Sequence, residues 1–299
     1  MLTGSTGFIG RRIQKCLLDA QIPVRVIVRA GSRHHHHIDS RCDVRIGELS
    51  DQKILGSALE NVSKLVYCAG AVKGRNLDAF LPANLHGIQS IVSAINQHDH
   101  KIPSLLISSL AATRPDISNY AQSKFLGEKA WRDELSSPWS ILRPPAVYGP
   151  GDTELALLFK LASKGLIVRP GPPDQRLSFI HADDLAAAVL AWLHNWQACI
   201  GQTFDIDDGR ENGYRWTDIA EAATKGRFLT LSVPKYLLNG VARTNLLFSR
   251  LLAYDPMLTP GKSRELSQRT WLCDNTAFEK TSGWQPQIDL AQGIRLSME

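Results

Sequence analysis

The chain begins Met1-Leu2-Thr3-Gly4-Ser5-Thr6-Gly7-Phe8-Ile9-Gly10, a strand end, a tight loop and a helix start with glycines at the spacing G-x-x-G-x-x-G. Gly4 lets the backbone turn sharply, Gly7 lets a pyrophosphate approach the main chain, and Gly10 lets the helix pack against the strand. Apolar Ile13, Cys16 and Leu17 continue the segment with helical spacing. The helix therefore starts with its free N–H groups and positive dipole end at the loop, where phosphates bind. A glycine triplet alone is a common turn. The apolar residues before it and the periodic helix after it give it the context of a dinucleotide site, with Gly4, Thr6, Gly7, Phe8 and Ile9 as its contacts. Only Met1, Leu2 and Thr3 precede the loop, whereas a central parallel strand has about five or six residues. The first residue is thus expected to lie inside a longer strand.

With 299 residues, 43% hydrophobic and 21% charged, the chain has the composition of an enzyme-sized globular protein. Its densest apolar stretch, Leu185 to Leu193, is far shorter than the ~18 residues of a membrane span. Cys16, Cys42, Cys68, Cys199 and Cys273 are scattered and odd in number, with no C-x-x-C pair. That argues against a disulfide framework or zinc site and predicts a cytoplasmic location. A net charge of +5 suits an anionic cofactor. Without a basic run interleaved with aromatics, nucleic acid is not an expected partner. His34 to His37 form a run in a loop, but no carboxylate or cysteine cluster accompanies it, so no functional metal site is expected.

Short β-branched runs alternate with helical patterns. Strands are predicted at Pro23–Val28, Val44–Leu49, Lys64–Ala71 and Ser104–Ser109, with helices at Ile54–Leu59 and Pro82–Asn96. This order predicts an α/β fold with a doubly wound parallel sheet. An acidic residue at the end of the second strand would accept from the adenosine ribose of NAD. Arg29 stands there, with Arg33 close behind. Guanidinium groups pair with the 2′-phosphate of NADP, so NADP(H) is expected as the preferred cofactor and NAD(H) as the alternative. The bland reading makes both arginines solvated loop charges.

Tyr120 and Lys124, four residues apart in a helical stretch, share one helical face. A phenol with a reference pKa of ~10 is a poor base at neutral pH. A nearby ammonium favours the phenolate, so Lys124 is expected to tune Tyr120 for proton transfer. Ser109, at the carboxyl end of the fifth strand, is placed to hold the reacting oxygen.

With these residues in order, the chain resembles an extended short-chain dehydrogenase/reductase of the NAD(P)-dependent epimerase/dehydratase superfamily over nearly its whole length. Thr3 to Gly10 match T-G-x-x-G-[FY]-[IV]-G; Tyr120 and Lys124 match Y-x-x-x-K; Ser109 matches the serine or threonine ending strand five. Leu142 to Gly151 resemble the segment along the nicotinamide, which implies cofactor contacts at Pro144, Ala146 and Val147. Phe179 to Ala186 resemble F-[IV]-[HY]-V-x-D-[LV]-A. The resemblance places Asn84 in the catalytic set with Ser109, Tyr120 and Lys124. It puts Glu48 and Leu49 where an Asp-Leu pair meets the adenine, and Ala69 and Gly70 at the strand end facing the cofactor. Lys124 would also hold the nicotinamide ribose. The implied organisation is a Rossmann-type domain at 1–148, with 176–206 returning to it, and a smaller, mainly substrate-binding lobe at 149–299.

The later half is less regular. A helix is predicted over Thr153–Lys164, and another opens near Trp216 with Thr217 as its cap. Lys235 to Tyr254 carries Leu237, Leu238, Val241, Leu246, Leu247, Phe248, Leu251 and Leu252. This reads as a helix buried in the smaller lobe or as the wall of an apolar substrate pocket. Lacking a basic polar face, it is not expected to lie on a membrane. The leading functional expectation is hydride transfer between NADP(H) and a secondary alcohol or ketone on a small-molecule substrate. A nucleotide-sugar epimerase or dehydratase with tightly held NAD is the rival. Many such enzymes use an asparagine after strand six, where this chain has Pro145 and Ala146. A non-catalytic cofactor-binding sensor or assembly subunit is the third reading. Relatives commonly form a homodimer through the helix bearing the Tyr–Lys pair.

Overall fold

A computed structural model describes residues 1–252 and 254–298, apart from the side chains of Arg250 and Leu251. β1 (Leu2–Thr3) leads through the glycine loop into α1 (Phe8–Asp19), then β2 (Arg25–Val28), β3 (Asp43–Ile46), α2 (Gln52–Leu59) and β4 (Leu65–Tyr67). A π-helical turn (Pro82–His86) runs into α3 (Gly87–Asn96), followed by β5 (Ser104–Ile107), α4 (Asn119–Glu134) and β6 (Trp139–Arg143). Next come β7 (Ala146–Tyr148), α5 (Ala156–Ser163), β8 (Leu166–Arg169), β9 (Arg176–Leu177), β10 (Phe179–His181), α6 (Ala182–Asn195) and β11 (Gln202–Asp205). The chain ends with α7 (Trp216–Ala223), β12 (Leu229–Ser232), α8 (Lys235–Leu252), α9 (Pro260–Leu266), β13 (Thr270–Trp271), α10 (Thr276–Ser282) and α11 (Leu290–Met298).

Among the described residues a seven-stranded sheet runs β11-β6-β5-β4-β1-β2-β3, all strands parallel. Because both faces are covered, the inner strands β2, β4 and β5 are apolar on successive residues rather than on alternate ones. Val26, Val28, Leu105 and Ile107 join the core beneath α1 and α6. Ile27 and Leu106 point to the opposite face, into the core shared with α2, α3 and α4. Phe278 and Trp284, late in sequence, also pack into the first core. Trp284 Nε1 donates to Asp184 O at 3.2 Å, and the Asp184 carboxylate accepts from the backbone of Gln287 and Ile288. A third core gathers Tyr148, Phe159, Phe179, Trp216, Ile219 and Ile294. Strand order reverses between β1 and β4, and such a reversal opens a crevice at the carboxyl ends of the strands.

The strands are shorter than their sequences predict because side chains take over the backbone partners at their ends. Thr3 Oγ1 accepts from Cys68 N and Ala69 N at 3.1 and 3.2 Å, which ends the β4 ladder. After β5, Ser109 caps a 3₁₀ turn through Ala111 N at 3.2 Å. Asp152 captures the N–H groups of Glu154 and Leu155 at 2.7 and 2.8 Å, delaying α5 to Ala156. Thr217 does not cap α7: the helix starts at Trp216, with Arg215 at the cap position and its N–H donating to the Asp218 carboxylate at 2.8 Å. The largest departure is α8. Leu237, Val241, Leu247, Phe248 and Leu252 are all at least half exposed, so this helix is not buried as expected. Of the expected apolar set, the Leu251 side chain lies outside the described residues.

Candidate active site

The glycine loop forms a cradle. Gly4 has φ +67°, and a Cβ there would lie 2.7 Å from the Ala69 backbone. A Cβ on Gly10 would lie 2.1 Å from Gly4 O, so α1 can seat on β1 only with glycine at this position. Gly7 is exposed at the N-cap of α1, and among the described residues no side chain caps this helix. Buried Ser5 Oγ also has no partner among the described residues. Free N–H groups at a helix start, an open approach at Gly7 and an unpaired hydroxyl fit a dinucleotide pyrophosphate. Thr6, Phe8 and Ile9 are half-buried around it.

Across the crevice, Asn84 is 1% exposed in the π-helical turn before α3. Its Oδ1 accepts from Ala71 N at 2.9 Å, and its Nδ2 donates to Ala71 O at 3.0 Å and to Ser123 Oγ at 2.9 Å. The amide is fully engaged in tying the loop after β4 to α4. This places Asn84, expected in the catalytic set, at the joint between that loop and α4. A Cβ on Gly70 would approach Asn84 Oδ1 at 3.2 Å, which keeps the loop close-packed.

Ser118 caps α4 by accepting from Ala121 N at 3.0 Å, and Tyr120 and Lys124 follow on the helix. The half-buried Tyr120 ring meets Phe80 edge-on at 5.9 Å. Burial raises the phenol pKa above its ordinary value, and hydrogen bonding with Ser109 opposes that shift. The cation acting on the phenol here is Lys262 of α9, while the carboxylates of Glu265 and Glu154 act the other way. Lys124 instead donates from Nζ to Ile107 O at 3.0 Å, and burial lowers its pKa to about 8. Lys262, far away in sequence, thus adds a positive charge near the phenol besides the Lys124 expected there. Lys262 pairs with Glu265 Oε2 at 3.1 Å, and Glu265 also accepts from Ser118 Oγ, which ties α9 to the start of α4. Tyr120, Phe80, Val72, Met257, Lys262 and Glu265 line one cleft. Its wall is therefore formed by the segment after α8 and by α9, not by the leucines of α8.

Below this cleft, Glu128 is fully buried on α4. It accepts from Ser108 Oγ at 2.6 Å and takes a bidentate pair from Arg143 at 2.8 and 2.6 Å. Arg29 and Arg33 are exposed at the end of β2 and in the loop after it. Arg11, directly after Gly10, reaches that loop at 3.4 Å from the His37 ring. Glu48 is exposed and Leu49 half-buried after β3, beside the same end of the crevice. Pro144 O accepts from Leu110 N at 2.9 Å, while Ala146 and Val147 pair with Phe179 and Ile180 of β10. His34 and His37 stack at 5.5 Å, and among the described residues no cluster fit to hold a metal ion occurs. Sequence reasoning passed over Arg11, Ser123 and Lys262. Arg11 had a local signal, a cation directly after the third glycine; the other two gain meaning only from the folded neighbours they meet.

Residues 1–206 match the NAD dependent epimerase/dehydratase family. The chain belongs to that family, and with the parallel sheet and glycine cradle this makes it an NAD(P)-dependent enzyme of the extended short-chain dehydrogenase/reductase type. It is 33% identical over 275 residues to a ceramide reductase of Caulobacter vibrioides, spanning 90% of this chain and 84% of that protein. It is 24% identical over 324 residues to a UDP-glucose 4-epimerase of Vibrio cholerae, across 99% and 93% of the two chains. The fold matches UDP-glucuronic acid 4-epimerase from Bacillus cereus in complex with UDP-glucuronic acid and NAD. That match has a TM-score of 0.73 at 16% identity, covering 99% of this chain and 96% of the other. Among the described residues no helix is long and apolar enough to cross a membrane.

Proposed function

We propose that the protein is an NADP(H)-dependent reductase of a ketone on an apolar, lipid-like substrate. The observation that carries this reading is Tyr120, a half-buried phenol at the wall of a cleft, near enough to Ser109 for its hydroxyl to hold the phenol pKa down. The bound dinucleotide supplies hydride. Gly4, Thr6, Gly7, Phe8 and Ile9 hold its pyrophosphate; Glu48, Leu49, Ala69 and Gly70 border the adenosine side; Pro144, Ala146 and Val147 border the nicotinamide side. Arg29 and Arg33, joined by Arg11, favour a 2′-phosphate at the end of β2.

Tyr120 gives its proton to the carbonyl oxygen, and the Ser109 hydroxyl donates to the same oxygen as negative charge develops. Lys124, held against Ile107 O, anchors the ribose side. Likeness to the ceramide reductase over most of both chains favours a substrate with long apolar chains. The overall likeness to epimerases supports the rival reading, a recycled NAD acting on a nucleotide sugar. Pro145 and Ala146, in the neighbourhood where an asparagine binds sugar diphosphates, weigh against it. The free state of all five cysteines accords with a cytoplasmic enzyme.

Tyr120→Phe tests the assignment. General acid catalysis contributes about 10²–10⁴-fold, so the variant should lose turnover on that scale while binding NADPH and melting like the wild type. Unchanged turnover would remove Tyr120 from the chemistry and favour the third reading, a sensor or assembly subunit.

A further inference from the structure

Between Glu221 and Asp255 the chain has no acidic residue and five basic ones, Lys225, Arg227, Lys235, Arg243 and Arg250. Most of this stretch forms β12 and α8, and α8 is packed inside out. Its inner side carries small and polar residues beside the half-buried Leu238 and Leu246. Asn239 Oδ1 accepts from Ser263 Oγ at 2.6 Å, Asn245 Nδ2 donates to Leu258 O at 2.9 Å, and Ala242 and Ser249 are fully buried. Its outer side carries Leu237, Val241, Leu247, Phe248 and Leu252, which are 50% to 70% exposed. A helix on the surface of a water-soluble protein turns its apolar stripe inward. Here the stripe faces out, and contiguous exposed apolar surface of this kind marks a docking site.

We infer that the outer face of α8 seats the protein on an anionic lipid surface. Leucine and phenylalanine side chains enter the boundary between headgroups and acyl chains, and Lys235 and Arg243 meet lipid phosphates. The charge pattern selects this occupant, since every charge on the stretch is positive. β12 runs directly into α8 with Leu229 and Leu231 exposed behind Lys225 and Arg227, so the apolar and basic surface extends beyond the helix. The sequence alone predicts no membrane contact for want of a basic polar face; in the fold, Lys235 and Arg243 on α8 and Lys225 and Arg227 before it supply the cations. Pro256 and Met257, immediately after α8, line the Tyr120 cleft, so the docked face adjoins the mouth of the site.

The test is sedimentation of the full chain with vesicles of phosphatidylcholine, alone or mixed with phosphatidylglycerol. It reads binding without turnover, so its outcome stands apart from that of the reductase assignment. The protein should pellet with the mixed vesicles, less with phosphatidylcholine alone, and less as salt rises. Joint substitution Leu237→Ser, Phe248→Ser and Leu252→Ser should weaken binding by at least about tenfold, because the buried apolar area sets its strength. Lys235→Glu with Arg243→Glu should abolish the preference for the anionic mixture. Melting and NADPH binding should stay at wild-type values in both variants. A wild type that stays in the supernatant with mixed vesicles, or a triple variant that pellets like wild type, would overturn the inference. So would a dimer that the triple variant dissociates and that shows no affinity for vesicles.

Discussion

Tyr120 lies in a balance of opposing charges that the sequence spacing does not reveal. Burial, Glu265 and Glu154 raise the phenol pKa, whereas Ser109 and Lys262 lower it. As the proposed proton donor the phenol must be protonated in the reducing direction, so turnover should fall as pH rises through its pKa. Removing the Lys262 charge takes away a cation that lowers that pKa. Lys262→Met should therefore move the alkaline limb of the pH–rate profile to higher pH, and Glu265→Gln should move it to lower pH. A kcat profile from each variant checks this; limbs that coincide with the wild type would show that neither residue acts on the proton donor. Lys124, with a pKa near 8, sits buried against Ile107 O and answers to Glu128 one turn further along α4.

At the scale of elements, the site depends on how closely α3 and α4 approach. A Cβ on Gly127 would lie 2.1 Å from Asn84 O, and one on Gly87 would lie 2.5 Å from Tyr67 Oη. The π-helical turn at Pro82–His86 aims Asn84 across that gap to Ala71 and Ser123. Asn84→Ala leaves buried groups without partners, each costing about 1–3 kcal/mol, and urea unfolding should show at least about 2 kcal/mol lost. Glu128→Ala leaves the Arg143 guanidinium only Asp205 at 3.7 Å and should cost about 3 kcal/mol in the same assay. The strand–helix alternation was legible in the sequence because glycine spacing, β-branched runs and the Y-x-x-x-K pair are local signals. Element ends were not, since Thr3, Ser109 and Asp152 cut ladders or delay helices through contacts that exist only after folding. The exposed face of α8 was illegible for a related reason: periodicity shows that a helix has an apolar side but not which way it points. Lys262, 138 positions beyond Lys124 in the sequence, has no local signal at all.

For the molecule as a whole, carboxylates at the carboxyl end of β11 couple stability to pH. Burial raises the pKa of Asp205, Asp207 and Asp208, with Asp208 reaching about 7 while accepting from Tyr214 Oη at 2.6 Å. A carboxyl whose folded pKa lies above its unfolded value of ~3.9 adds stability below that value and loses it as pH rises toward 7. Asp208→Asn should thus melt above the wild type at pH 7, with the gap closing as pH falls toward 4. A gap of constant size would show that Asp208 does not titrate in that window.

The proposed reductase needs an exchangeable NADP(H) at the glycine cradle. Its most direct test is titration of the purified protein with NADPH and NADH by nicotinamide fluorescence, with assay of nucleotide released on denaturation. The prediction is tighter binding of NADPH, no retained nucleotide, and loss of the preference in Arg29→Glu. Stoichiometric NAD surviving purification would contradict it and shift the assignment to an epimerase.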